Sequence, residues 1–308
     1  MGNLQLKYEV VTDGLRFPEG PVWMKDGSVI VVEIESGRIV RVRPDGKKEV
    51  VATPGGGPNG AAIGPDGALY VCNNGGFIFF EKDGVIMAEG DPPPGYDGGW
   101  LDRIDITTGK VTRLYDKVDG RRLAGPNDIV FDDQGGFWFT DLGKRVGNAT
   151  YDGGIFYAKP DGSMIKRVVD RVYANGIGIS PDKKTLYVAL TYESLLIAFN
   201  ITGPGEVEPS AMLPGRVVAA FAPRQWPDSF ALTADGDVYV GTNLENAGIA
   251  VVNPATGAVT NHLSPDPLTT NICFGGLDFR DAWVTCSTTG RLFKTRWEKP
   301  GLRLSYYA

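Results

Sequence analysis

The stretch GPNDIVFDDQGGFWFTD, residues 125–141, runs from a small-residue turn through a short apolar segment and an Asp/Gly turn to a second apolar run. The same order returns five more times: FPEGPVWMKDGSVIVVE (17–33), GPNGAAIGPDGALYVCN (57–73), ANGIGISPDKKTLYVAL (174–190), WPDSFALTADGDVYVGT (226–242) and TNICFGGLDFRDAWVTC (270–286). Each copy reads as a β-hairpin, and a repeat of this kind decides the fold before any single residue does. The second strands begin at Val29, Leu69, Phe137, Leu186, Val238 and Ala282, in steps of 40, 68, 49, 52 and 44 residues. A step of that size holds about four short strands with their turns, which is one propeller blade.

The remaining strands agree with this. Asp26-Gly27, Asp66-Gly67 and Asp235-Gly236 are hairpin turns. Third strands follow as RIVRVRPDG (38–46), GIFYAKPDG (154–162) and IAVVNPATG (249–257). The expected fold is all-β: a single domain over 1–308, a six-bladed β-propeller of four-stranded antiparallel blades around a central channel. Ring closure must pair the chain ends, through LKYEVV (6–11) or LRLSYY (302–307). Asp83 to Trp100, dense in Pro and Gly, reads as an insertion that cannot continue a ladder.

Composition excludes several functions. A net charge of −6 and no Lys/Arg cluster argue against nucleic acid and anionic membranes as partners. The N-terminus lacks the apolar run of a signal peptide and no segment is long enough to span a bilayer, so a cytoplasmic protein is expected. Cys72, Cys273 and Cys286 lack metal-site spacing and read as small core residues. GGGPNG (55–60) meets a dinucleotide spacing but leads into a strand rather than a helix. His262, the one histidine, falls on an outer strand, which leaves a Ser-His-Asp triad without a base. The triplets at Asn148 and Asn200 carry no weight without a secretion signal.

Ten positions before each second strand (eleven in the fourth repeat) stand Glu19, Asn59, Asn127, Asn175, Asp228 and Ile272. The innermost strand of every blade lines the channel, so these positions face one another across the axis. Asn and Asp are also common turn formers, but five oxygen-bearing side chains in six equivalent slots point to a shared site. Buried together they need a compensating cation, and two carboxylates with neutral amide oxygens suit Ca²⁺ best, with Mg²⁺, Mn²⁺ or Zn²⁺ as alternatives.

The motifs FPEGPVW, PND (126–128), NGIGISPD (175–182), PDSFALTADGDVYV (227–240), FGG (274–276) and VTCSTTGRLF (284–293) resemble the SMP-30/gluconolactonase family, from about Leu15 to Leu302. The resemblance implies a six-bladed propeller with one catalytic divalent metal held by Glu19, Asn127, Asn175 and Asp228. Asn59 then lines the channel. It also implies a small-molecule lactone substrate, although Gly125 stands where sugar-lactone members often carry an Arg, which weighs against a sugar lactone.

The chemistry expected is ring opening of a cyclic ester: the cation polarises the carbonyl, water attacks, and Asp228 is the candidate general base. Strand alternation turns Asp128 away from the ligand face, as a supporting residue. Trp226, Tyr192 and Tyr151 are candidate walls of the mouth, and Lys144 a candidate polar contact. A phosphotriesterase-like hydrolase and a non-enzymatic propeller with a structural metal are the competing readings.

Overall fold

The computed structural model describes residues 6–209 and 214–307; residues 1–5, 210–213 and 308, which the expected 1–308 span includes, lie outside the described residues. Six antiparallel sheets form a closed ring, each with its first strand innermost. The inner strands are Pro18–Trp23, Pro58–Ile63, Pro126–Phe131, Ala174–Ile179, Gln225–Leu232 and Thr269–Gly275. The second strands begin within one residue of the places read from the sequence, at Val29, Leu69, Phe137, Thr185, Val238 and Asp281. Gly27, Gly67 and Gly236 take positive φ in the Asp-Gly turns, the backbone these hairpins require.

Six apolar cores lie among the described residues, one in each cleft between neighbouring blades. The largest fully buried side chains sit in the clefts on either side of the third blade, where Phe137, Phe139 and Phe156 pack towards the second blade and Trp138 and Tyr157 towards the fourth. Strands buried on both faces explain why the second strands read as continuous apolar runs instead of alternating ones. Packing of this density makes the ring rigid, and rigid strands place the side chains at their inner ends.

The N-terminal segment closes the ring. Glu9–Thr12 pairs antiparallel with Arg291–Arg296, giving the sixth blade its outer strand. The C-terminal LRLSYY instead folds under the channel, where Leu302, Leu304, Tyr306 and Tyr307 line its lower end. The 83–100 insertion differs from expectation. Val85–Ala88 pairs with Phe79–Lys82 as a separate hairpin, and the Pro- and Gly-rich part begins only after it. Among the described residues no helix is long and apolar enough to cross a membrane.

Candidate metal centre

Three of the six inner strands begin with Pro, at Pro18, Pro58 and Pro126, and Pro227 is the third residue of a fourth. Proline has no N–H to give a ladder, so it belongs at a strand's first residue, and here it precedes Glu19, Asn59, Asn127 and Asp228. In every blade the pairing of the first and second strands then breaks, between Glu19 and Val22, Pro58 and Ala61, Pro126 and Ile129, Ala174 and Ile177, Pro227 and Phe230, and Thr269 and Asn271. A bulge re-aims side chains. Repeated six times at one level, it forms a ring.

The blades meet closely at that level. Gly20 has a φ of +49°, and a Cβ there would strike the Asn59 carbonyl; a Cβ at Gly60 would stand 2.5 Å from the Asn127 carbonyl, and one at Gly176 2.6 Å from that of Asp228. Small residues after the slot thus let each blade approach the next. Thr140 Oγ1 donates to the Asn175 carbonyl, and Thr191 Oγ1 to the Pro227 carbonyl at 2.8 Å.

Glu19, Asn59, Asn127 and Asn175 are all buried. Burial lifts the Glu19 carboxyl above its ordinary range, opposed by hydrogen bonds from Asn271, Gly20 and Thr270. The Asp228 carboxyl lies well above its usual value because it is buried and because the Glu19 charge acts on it, while Asn243 and Asn175 pull the other way. These two carboxylates therefore share one environment, and Asn175 and Thr270 belong to it. Asn127 Oδ1 and Asn175 Oδ1 are buried without a hydrogen-bond partner. The Asn175 amide is nonetheless fixed, because its Nδ2 donates to Thr191 Oγ1 at 3.0 Å.

Orphaned buried acceptors beside a buried and a half-buried carboxylate are costly as they stand, and a hard cation satisfies both at once. The residues present therefore fit a divalent ion. Among the described residues no group of three or more His, Cys, Asp and Glu side chains is arranged to hold a metal. The donor set is carboxylate and amide oxygen, the type that Ca²⁺, Mg²⁺ and Mn²⁺ take.

The structure corrects two readings. Ile272 pairs with Val284 as Phe230 pairs with Val240 and Ile129 with Phe139. The slot lies two residues before that partner, so the sixth position is Thr270. Counting back from the second strand missed it because the strands of the sixth hairpin pair one residue further, to Gly275 and Asp281, before the turn. Asp128, in turn, does not turn away from the channel: the bulge leaves it lining the lower channel with Ile129 and Ile177. Its oxygens accept Ile129 N at 2.9 Å and Ile177 N at 3.4 Å, and burial with the Glu19 charge pushes its carboxyl up to about 7.

Two residues not singled out in the sequence hold the carboxylates. Asn271 Nδ2 donates to Glu19 Oε2 and Asn243 Nδ2 to Asp228 Oδ2, both at 2.7 Å. Asn271 was legible only through its neighbour in the repeat; Asn243 is the next-to-last residue of a second strand, Val238–Leu244, and gives no local signal.

Above the ring, Tyr173, Tyr192 and Trp226 stack edge to face, with centroids 6.2 and 5.9 Å apart. Tyr192 is 58% exposed and feels the Asp228 charge, so this wall stands over the carboxylate. Tyr151 is on a different part of the rim, paired with Lys144 in the hairpin Lys144–Val146 and Ala149–Tyr151. Gly125 has no room for a side chain, since a Cβ there would stand 2.6 Å from the Gly143 carbonyl. Below the ring an apolar cavity of about 120 Å³ ends on the C-terminal segment. His262 is on the outermost strand of the fifth blade, Ala258–Leu263, and all three cysteines are free.

Residues 17–288 match the SMP-30/Gluconolactonase/LRE-like region. A protein named lactonase drp35 from Staphylococcus saprophyticus is 29% identical over 235 residues, 75% of this chain and 65% of that protein. A gluconolactonase from Zymomonas mobilis is 26% identical over 202 residues, covering 59% of this chain and 51% of its own. The chain thus spans 65% and 51% of the length of these relatives. Among solved structures, a Xanthomonas campestris gluconolactonase superposes with a TM-score of 0.73 at 23% identity, over 94% of this chain and 89% of that one. A calcium-binding protein, regucalcin, from Agrobacterium tumefaciens gives a TM-score of 0.75 at 18% identity, over 99% and 98%. At these identities the structural likeness shows the shared fold.

Proposed function

This chain belongs to the SMP-30/gluconolactonase/LRE-like family, and from that premise we propose that it is a divalent-metal-dependent lactonase whose ion is held by Glu19, Asn127, Asn175 and Asp228. The observation that carries the reading is the pair of buried Oδ1 atoms on Asn127 and Asn175 without a hydrogen-bond partner, set beside the buried Glu19 carboxylate and the half-buried Asp228 carboxylate, on which the Glu19 charge acts. The relatives named lactonase and gluconolactonase support a cyclic ester as substrate, and the calcium-binding neighbour supports Ca²⁺ as the ion.

When bound, the cation supplies positive charge that polarises the lactone carbonyl and stabilises the negative charge developing on its oxygen. Asp228 takes the proton that the attacking water gives up and returns it to the ring oxygen as the C–O bond breaks, leaving a hydroxy acid. Asn243 holds one Asp228 oxygen at 2.7 Å, which fixes the carboxylate plane. Asn271 does the same for Glu19. Tyr192 and Trp226 form an apolar side to the mouth that keeps bulk water from the ring. Asn59, buried at the second slot, offers a further amide to the substrate or to an ordered water.

The test is a screen of aldono-, aliphatic and aromatic lactones, with a phosphotriester alongside, on chelated protein reconstituted with Ca²⁺, Mg²⁺, Mn²⁺ or Zn²⁺. Lactone opening that needs the ion and falls by about 10²- to 10⁴-fold in Asp228→Asn is the expected result. Turnover that survives both chelation and the substitution would sink the assignment, and turnover of the phosphotriester alone would move the substrate class.

A further inference from the structure

The second strands of the second and third blades end beside the slot residues: Asn73 pairs with Pro58, and Asp141 with Pro126. One residue beyond Asn73 stands Asn74, and three beyond Asp141 stands Lys144, so both occupy the rim of the channel that carries the proposed ion site. Lys144 is 4% exposed and Asn74 3% exposed. Neither Lys144 Nζ nor Asn74 Nδ2 has a hydrogen-bond partner.

These orphans differ from the asparagine oxygens of the ring because they are donors. The Lys144 ammonium lies 3.3 Å over the ring of Phe77 and 5.6 Å from that of Tyr96. Phe77 is on the loop that follows Asn74, so the two blades' loops meet at this lysine. Tyr96 is itself pinned, its hydroxyl donating to the Ala124 carbonyl. The carboxylate whose charge Lys144 feels, Asp141, is engaged elsewhere, accepting the amides of Ala124, Gly125 and Gly143 at 2.8, 2.6 and 2.8 Å. A lysine stem ordinarily carries its head to water. This one keeps it buried between two aromatic rings with its N–H groups unmet, a costly arrangement for a charge unless an acceptor arrives with the ligand. Burial holds its ammonium down to about 7, as expected for a cation that lacks its counter-ion.

We propose that Lys144 and Asn74 form an anion subsite on the rim of the channel, which receives a carboxylate carried by the substrate ring in addition to its ester. The proposal refines the lactonase reading: it names the substrate class as acidic lactones, with the ester over the ion site and the free carboxylate turned towards the junction of the second and third blades. Lys144 is then a specificity residue, and its removal affects acidic ligands selectively.

The experiment uses Ca²⁺-loaded protein and separates binding from turnover. Pyroglutamate and its neutral parent pyrrolidone, lactams that resist opening, are titrated by calorimetry against wild type and Lys144→Met, and γ-butyrolactone with and without a ring carboxylate is assayed on the same proteins. Methionine fills the same volume without the charge, so thermal denaturation should show the variant folded and no less stable. Wild type is expected to bind pyroglutamate more tightly than pyrrolidone, and Lys144→Met to lose about ten- to a hundredfold of that preference while neutral ligands are unaffected. The KM for the acidic lactone should rise in step. Equal binding of the two lactams by wild type, a preference that survives in Lys144→Met, or an equal loss for both ligands would each overturn the subsite. Absence of turnover on either lactone would count against the lactonase reading alone, because the lactam arm decides the subsite without it.

Discussion

The two carboxylates of the channel are best understood through what opposes them. With no ion, the buried Glu19 and the half-buried Asp228 are neighbouring like charges, and replacing one by its amide relieves the protein. With an ion present, the same change removes a ligand. Glu19→Gln and Asp228→Asn are therefore expected to raise the thermal midpoint of chelated protein and lower that of Ca²⁺-loaded protein, an inversion of sign that differential scanning fluorimetry would read directly. A shift in the same direction in both states would contradict a shared ion site.

Asp102 offers a pH test away from the channel. It is 1% exposed, and burial raises its carboxyl to about 6 despite the Trp100 indole N–H and the Arg113 charge. A folded pKa above the unfolded one means a contribution to stability that is fully present below about 4 and lost as pH rises through about 6. Relative to Asp102→Asn, wild type should lose stability between those values in urea unfolding. Parallel curves for the two proteins would show that the carboxyl is not so perturbed.

The repeat made much of this scale readable. Asn59, Asn127, Asn175 and Asp228 were found by counting alone, because four blades share one hairpin length and the fourth differs by a residue. Thr270 was not, since the longer strands of the sixth hairpin shift the count by two. Lys144 and Asn74 carry no periodic signal: they matter only because loops of different blades meet.

The inner strand is the element on which the site depends, and it works through its bulge. Simple alternation predicts that neighbours point to opposite faces, and for Asp128 that expectation failed where the bulge begins. The close approaches at Gly20, Gly60 and Gly176 are equally strict. Gly176→Val is expected to cost about 2 kcal/mol or more by forcing a branched side chain against the Asp228 carbonyl, and to weaken Ca²⁺ binding with it; an unchanged urea midpoint would show that the blades have room to part. The second strands, by contrast, were legible to within a residue, since apolar runs between Asp-Gly turns need no knowledge of the neighbouring blade.

The sixth blade makes the other prediction at this scale. Its outer strand comes from Glu9–Thr12, so deletion through Thr12 would leave the edge of Arg291–Arg296 unpaired. Exposed edges invite association with other chains. The truncated protein should denature at lower urea and self-associate in light scattering, and a monomer of unchanged stability would show that the ring does not need its clasp. Either terminus satisfied the sequence argument equally. What separates them is three-dimensional, because the C-terminal segment is taken up beneath the channel.

At the scale of the whole molecule, a circle of apolar clefts surrounds a polar axis. The clefts supply rigidity, and that rigidity holds oxygens from six distant stretches of chain at one level, those of Asn127 and Asn175 without hydrogen-bond partners. The propeller was legible because its repeat is written along the chain. The shared environment of Glu19 and Asp228 emerges only when the ring closes, which is why the sequence supported it through equivalence of position rather than through a local motif. The account comes down to one ion. The most direct measurement is anomalous diffraction from crystals soaked with Ca²⁺ or Mn²⁺. A single peak within about 2.0–2.6 Å of oxygens from Glu19, Asn127, Asn175 and Asp228 is expected, and lost in Asp228→Asn; a ring that stays empty at saturating ion, or a peak elsewhere, would contradict it.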